Sequence, residues 1–185
     1  MIQGMEELDL GTATPAPLAE LLRPKTLDDV VGQDSLLGPN GRLRMMLAQG
    51  NLGSIILWGP PGTGKTTIAR LLAGAADMVF EPVSAVFDGV AELRKVFARA
   101  EQNRQAGRRS LLFVDEVHRF TKAHQDGLLP RVEDGTVTLD VATTENPSFA
   151  LNVALLSPAQ ALVLYRLDTA APEAILRRVE GLIGH

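Results

Sequence analysis

Nine consecutive residues, Gly59 to Thr67, read GPPGTGKTT and satisfy the spacing G-x-x-x-x-G-K-[ST] through Gly59, Gly64, Lys65 and Thr66. Such a loop is suited to holding phosphate. Its glycines let the backbone curl until successive N–H groups converge on phosphate oxygens. A helix opening behind it adds partial positive charge at its N-terminus. Gly59, Pro60, Pro61, Gly62, Thr63, Gly64, Lys65, Thr66 and Thr67 are therefore expected to cradle the phosphates of ATP. Lys65 would reach the β- and γ-phosphates, and the Thr66 hydroxyl would take Mg²⁺. A Gly-Pro turn that happens to carry a lysine would match the letters, but not the flanks. The apolar run SIILWG precedes the loop and the helical TTIARLLAGAA follows it.

About fifty residues on, LLFVDEVHRF delivers an acidic pair, Asp115 and Glu116, to the end of another apolar run. Asp115 suits a direct or water-mediated Mg²⁺ contact. Glu116 suits general-base or water-positioning work in attack on the γ-phosphate. An acidic pair at a strand end also serves solubility. Following a phosphate loop, it argues for hydrolysis rather than binding alone. VATTENPSF then ends a third apolar run in polar residues. Thr144 either orients the attacking water or caps its strand.

These residues need elements to hold them. Five apolar runs stand out: SIILWG (54–59), VFEPVS (79–84), SLLFVD (110–115), VTLDVA (137–142) and ALVLYRL (161–167). Near-continuous apolar runs fit strands covered on both faces. Helical patterns lie between them. Over 90–106, Val90, Leu93, Val96, Phe97 and Ala100 form one apolar stripe, with Arg94, Lys95, Arg99 and Arg104 on a solvated face. Alternating strands and helices predict a five-stranded parallel sheet in an αβα sandwich, with ligands at the carboxyl ends of the strands.

The 185 residues suffice for one domain with a proper core, and 45% of them are hydrophobic. Net charge is −4, so any contact with nucleic acid needs a local basic patch or several subunits. The absence of cysteine removes disulfides, thiolate zinc sites and thiol catalysis. The start of the chain lacks the basic and apolar regions of a signal peptide. The uncharged run Asn146–Tyr165 has about the length of a bilayer span. Asn146, Pro147, Ser148, Asn152, Ser157, Pro158 and Gln160 interrupt it, which argues against a membrane segment. A short helix from Asn152 to Ser157, then a last strand from Ala161, is the expected reading. A soluble cytoplasmic protein is expected.

The chain resembles AAA+ ATPases, and more closely the replication-associated recombination protein A (RarA) family. PLAELLRPKTLDDVVGQDSLLGP, ILWGPPGTGKTTIARLLA, LLFVDEVHRFTKAHQDGLLPRVEDGTVTL and ATTENPSFALNVALLS carry the likeness over roughly residues 16–167. The loop is common to AAA+ proteins, whereas DEVHRF, LLPRVEDGT and ATTENPSF are more specific. The resemblance implies a DNA-linked, Mg²⁺-dependent ATPase acting at stalled or damaged replication forks, near the nucleoid. Ring-like homo- or hetero-oligomers are implied, with fork, single-stranded or junction DNA as partner. Single-stranded DNA-binding protein and sliding clamp are further implied partners. Val30, Val31 and Gly32 match the segment that lies near adenine, and Thr144 matches the sensor 1 position.

Two features depart from the family pattern. Where the family has an arginine after LLS, this sequence has Pro158, followed by Ala159 and Gln160. In AAA+ rings that arginine reaches the neighbouring subunit's γ-phosphate, and neither Pro nor Gln supplies its charge. Arg166 stands too late to align with it. Residues 168–185 resemble only the beginning of the helical lid, with Arg177 and Arg178 read as exposed helix residues. Residues 1–15 read as a flexible arm, in which ELDLG distantly resembles clamp-binding peptides. These departures leave a second reading open, a nucleotide-binding subunit with little hydrolysis.

Overall fold

The computed structural model describes residues 23–30, 32–50, 52–156 and 159–164. The arm with its ELDLG segment, Val31, Ser157, Pro158, Arg166, Arg177, Arg178 and the stretch 168–185 lie outside the described residues. Five strands form one sheet: β1 (Ile55–Trp58), β2 (Met78–Ser84), β3 (Arg109–Asp115), β4 (Thr138–Thr143) and β5 (Gln160–Val163). Their order is β2-β3-β4-β1-β5, and every pairing is parallel. Each of the five apolar runs overlaps one strand. The fifth is shorter than its run, covering Gln160–Val163 of the described residues.

The helices are α1 (Asp34–Leu37), α2 (Arg42–Ala48), α3 (Lys65–Ala75), α4 (Val90–Gln105), α5 (Lys122–Glu133), α6 (Pro147–Ala150) and α7 (Val153–Leu156). A 3₁₀ turn, Leu27–Asp29, precedes them, and another, Val117–Arg119, follows β3. Right-handed crossovers decide which face each helix covers. The step from β1 out to the edge strand β2 runs opposite to every later step, so α3 covers one face. The connections β2–α4–β3, β3–α5–β4 and β4–α6–α7–β5 run the other way and cover the opposite face. The core divides accordingly. Leu43, Ile55, Leu57, Ile68, Leu72, Leu111 and Phe113 pack on the α3 face. Ile56, Leu93, Val96, Leu112, Val114, Leu128 and Val141 pack on the α4–α5 face. Pro82 has no N–H to give a ladder, and it sits in β2, an edge strand where one side needs none.

Three local expectations change. Val90 is 48% exposed and stands outside the buried stripe, which runs through Leu93, Val96 and Ala100 with Phe97 packed against it. Arg99 is not simply solvated. Its Nη2 donates to Glu81 Oε2 at 2.9 Å, and Nε lies 3.2 Å from Oε1. Those bonds tie α4 to β2 and hold the Arg99 guanidinium above its usual range. Among the described residues the short helix near the end of the uncharged run covers Val153–Leu156 and starts after Asn152. Asn152 instead anchors the loop before it. Its backbone N–H donates to Gln125 Oε1 (2.8 Å), and Gln125 Nε2 donates to Ala150 O (2.8 Å). No helix among the described residues is long and apolar enough to cross a membrane.

Candidate nucleotide site

The loop after β1 is fixed at its entrance. The Gly59 N–H donates to Thr143 O (3.2 Å), and the Leu164 N–H donates to Trp58 O (2.7 Å). A Cβ on Gly59 would lie 2.7 Å from the Leu164 carbonyl oxygen, so only glycine lets the chain beyond β5 approach this closely. Gly62 and Gly64 have φ of +78° and +88°, the left-handed region that favours glycine. These two turns aim the loop into α3. The first helical bond is Ile68 N–H to Gly64 O at 2.9 Å. The N–H groups of Lys65, Thr66 and Thr67 thus have no carbonyl one turn back and stand at the helix start.

Lys65 is buried, and its ammonium donates to Gly59 O (2.8 Å) and Pro60 O (2.9 Å), with Thr63 Oγ1 at 3.3 Å. Burial pushes its pKa below 10.5, while the nearby Asp115 and Glu116 carboxylates pull it partly back. Asp115 ends β3 opposite Ser84, and its carbonyl accepts the Ala85 N–H at 2.9 Å. Glu116 follows in the left-handed conformation, φ 53° and ψ 48°, an uncommon backbone for a residue with a side chain. That turn passes directly into the 3₁₀ turn, whose Val117 is fully buried.

One cavity of about 310 Å³ collects these parts. It is lined by Pro61 to Thr67, by Asp115 and Glu116, and by Thr143 and Thr144. Strands β1, β4 and β3 lie side by side, so three distant pieces of sequence meet at one end of the sheet. Of the sequence-predicted residues, Gly59 and Pro60 stand behind the cavity and contribute carbonyls to Lys65 rather than a wall. Val30 lines a different hollow, beside Leu27, Asp28 and Leu37, and is not brought into the phosphate cavity. Gly32 is a turn residue with φ +85° and does not line it either. Leu27 is buried in the core, and Val30 packs against that core. A neighbouring hollow of about 230 Å³, lined by Arg23, Pro24, Thr66, Thr67, Arg70 and Leu71, shares two residues with the phosphate cavity. The sequence reading passed over Arg23 and Pro24, although LRPKT precedes the stretch it chose. It also assigned nothing to Thr143 and His118, which lie 3.1 Å apart through Oγ1 and Nδ1.

The donor set fits a magnesium nucleotide. Free helix-start N–H groups and a buried ammonium suit phosphate oxygens. The Thr66 hydroxyl and Asp115 carboxylate are hard oxygen donors facing the same cavity.

A strand, a glycine loop and a helix closing on a buried lysine, beside an acidic strand end in a parallel sheet, define a P-loop nucleoside-triphosphatase fold. The family described as "ATPase family associated with various cellular activities (AAA)" matches residues 55–164, and the chain belongs to it. The protein named replication-associated recombination protein A of Escherichia coli K12 is 52% identical over 169 residues, covering 91% of this chain. The chain spans 38% of that relative's length. "ATPase WRNIP1" of Dictyostelium discoideum is 42% identical over 163 residues, 88% of this chain and 19% of that protein. Among solved structures, the Thermotoga maritima RuvB Holliday junction branch migration motor superposes with a TM-score of 0.67. It is 28% identical and covers 88% of this chain and 55% of its own. The resemblance drawn from DEVHRF, LLPRVEDGT and ATTENPSF is borne out by relatives of that name at 51–52% identity.

Proposed function

We propose that this chain is the ATP-binding and ATP-hydrolysing unit of a DNA-linked AAA+ ATPase of the RarA type, working in replication-fork maintenance, recombination and repair. One observation carries the reading. Lys65 and Thr66 at the end of the loop, Asp115 at the end of β3, Glu116 just after it, and Thr144 after β4 face a single cavity. In this reading Lys65 binds the β- and γ-phosphates, and Thr66 and Asp115 hold Mg²⁺. Glu116 takes the proton of the attacking water, and Thr144 orients that water or touches the γ-phosphate. Bound Mg²⁺ supplies charge neutralisation across the phosphates. The nucleotide-binding domain is taken as 16–167, preceded by an arm (1–15) and followed by the start of a lid (168–185).

The names of the relatives support DNA as partner, at forks, single strands or junctions. Oligomerisation, with single-stranded DNA-binding protein or sliding clamp as further partners, belongs to the same reading, as does a cytoplasmic, nucleoid-associated location. With a net charge of −4, such DNA contact is expected to need several subunits or a local patch. The test is direct. Lys65→Ala should abolish ATP binding, while Glu116→Gln should keep binding and stop turnover. Wild-type turnover in Glu116→Gln would sink the base assignment.

Pro158 favours a second reading, a subunit that binds ATP but cannot trigger hydrolysis in a neighbour. ATPase rate measured against protein concentration, with and without DNA, separates the two. Strong DNA stimulation of this chain alone counts against the second. Pro158→Arg in a demonstrated oligomer should raise turnover if the missing charge is what limits it.

A further inference from the structure

We propose that His118 is a positioning residue for Glu116, tying its carboxylate to the end of β4 through Thr143; this rests on the reading of Glu116 as the base. The left-handed turn at Glu116 and the 3₁₀ turn behind it fold the chain back on itself. The Arg119 N–H closes onto Glu116 O at 2.9 Å, and buried Val117 fixes the turn in the core. His118 is thereby carried under the site with its side chain only 9% exposed. Its Nε2 lies 4.0 Å from Glu116 Oε2, and its Nδ1 lies 3.1 Å from Thr143 Oγ1. Thr143 is itself buried. Its hydroxyl oxygen accepts the Glu145 N–H at 3.0 Å and lies 3.3 Å from Glu145 O. The imidazole therefore bridges the two walls of one cavity, the β3 wall with Glu116 and the β4 wall with Thr143 and Thr144.

Within this proposal the Thr143 hydroxyl is the donor in its 3.1 Å contact with His118 Nδ1. The Thr143 hydroxyl already accepts from Glu145, and the imidazole is nearer to it than the alternative acceptor, Glu145 O. With that proton on Nδ1 rather than on Glu145 O, the ring proton of neutral His118 stands on Nε2, facing the carboxylate. A 4.0 Å separation is not yet a hydrogen bond. It closes with a shift of about 1 Å, which the half-exposed Glu116 side chain can make. His118 thus holds Glu116 within a short swing of the cavity and makes that swing depend on the β4 end.

The experiment has one arm without nucleotide and one with it. Nitrogen-15 spectra of the three histidines in the wild-type chain should show His118 locked as the Nε2–H tautomer. Thr143→Val should release the lock and Thr143→Ser should keep it, with melting curves confirming that each variant is folded. A tautomer-averaged His118, or one indifferent to Thr143→Val, overturns the proposal. In the second arm, His118→Phe should lower kcat on the order of a hundredfold with ATP affinity unchanged, the penalty of a base misplaced by about an ångström. Thr143→Val added to His118→Phe should cost nothing further. A wild-type kcat in His118→Phe, when Glu116→Gln is dead, defeats the positioning role alone. Full turnover in Glu116→Gln defeats instead the base assignment beneath it.

Discussion

The Lys65 ammonium donates to the Gly59 carbonyl at 2.8 Å, so the lysine that closes the phosphate loop is bonded to the glycine that opens it. Pro60 O and Thr63 Oγ1 complete its set of partners. The loop is held in its curled form by its own cation, and phosphate recognition becomes an exchange of oxygen acceptors around a buried charge.

That exchange needs the ammonium protonated, and burial lowers the Lys65 pKa below 10.5. ATP affinity is therefore expected to fall as pH rises, with a midpoint below the ordinary lysine value. Fluorescent-nucleotide titrations between about pH 7 and 10 would record it, with Lys65→Arg as a weaker but pH-flat control because a guanidinium keeps its charge. A wild-type affinity constant across that range would refute the role given to the buried ammonium.

The glycines of the loop should fail in different ways. Gly59→Ala drives a methyl group into the Leu164 backbone, where a Cβ would stand 2.7 Å from the carbonyl oxygen. It should cost about 1–3 kcal/mol of stability by overpacking, with no nucleotide present. A Cβ on Gly62 would meet nothing within 4 Å among the described residues beyond its chain neighbours, but φ is +78°. Gly62→Ala should cost about 1–2 kcal/mol of backbone strain or reshape the loop locally, weakening ATP binding. Melting and binding curves measured on both variants check the contrast. Unaltered stability in Gly59→Ala would show that the chain beyond β5 can move aside.

Asp140 offers a gain of stability. It lies in the middle of β4 between Ile55 and Phe113, is fully buried, and neither carboxylate oxygen has a hydrogen-bond partner among the described residues. Burial raises its pKa well above 3.8, so the folded chain favours the protonated form. The sign follows from linkage. The group's contribution to stability is fully present below 3.8 and is lost as pH rises through the folded-state value. Asp140→Val should therefore raise the melting temperature at neutral pH. At about 1–3 kcal/mol for an unpaired buried polar group, the rise amounts to several degrees. The difference from wild type should shrink on acidification, as melting curves across pH 4 to 8 would reveal. A variant less stable than wild type at neutral pH would mean that Asp140 has a partner in solution.

Much of this was legible in the letters because strands buried on both faces write themselves as apolar runs. SLLFVD became β3 with five successive buried residues, Ser110 to Val114. The loop was legible because phosphate chemistry demands glycine and lysine at fixed spacing. Other features depend on what lies beside a residue in space. Asp140 looked like one polar letter in VTLDVA, and only the sheet register places it among Ile55, Phe113 and the α3-face core. Arg99 read as a surface charge because Glu81 is on another element. Thr143 and Thr144 are adjacent letters. Strand alternation turns the first inward to His118 and leaves the second half-buried at the cavity. Val30 was placed by resemblance alone, and only the fold shows that it packs against the core.

The position of β4 between β1 and β3 also shapes how the chain can fold. Strand β4 is synthesised long after β1, yet it pairs with β1 on one side and with β3 on the other. Until it threads into that slot, the sheet has no centre. Pairings of such long sequence separation close slowly and leave strand edges open meanwhile. The proposed ATP site spans the ends of all three strands, so nucleotide would recognise only chains in which the slot is filled. Nucleotide would therefore act as a late check on folding, drawing the population toward the completed sheet by mass action, in part through the end of the strand that completes it.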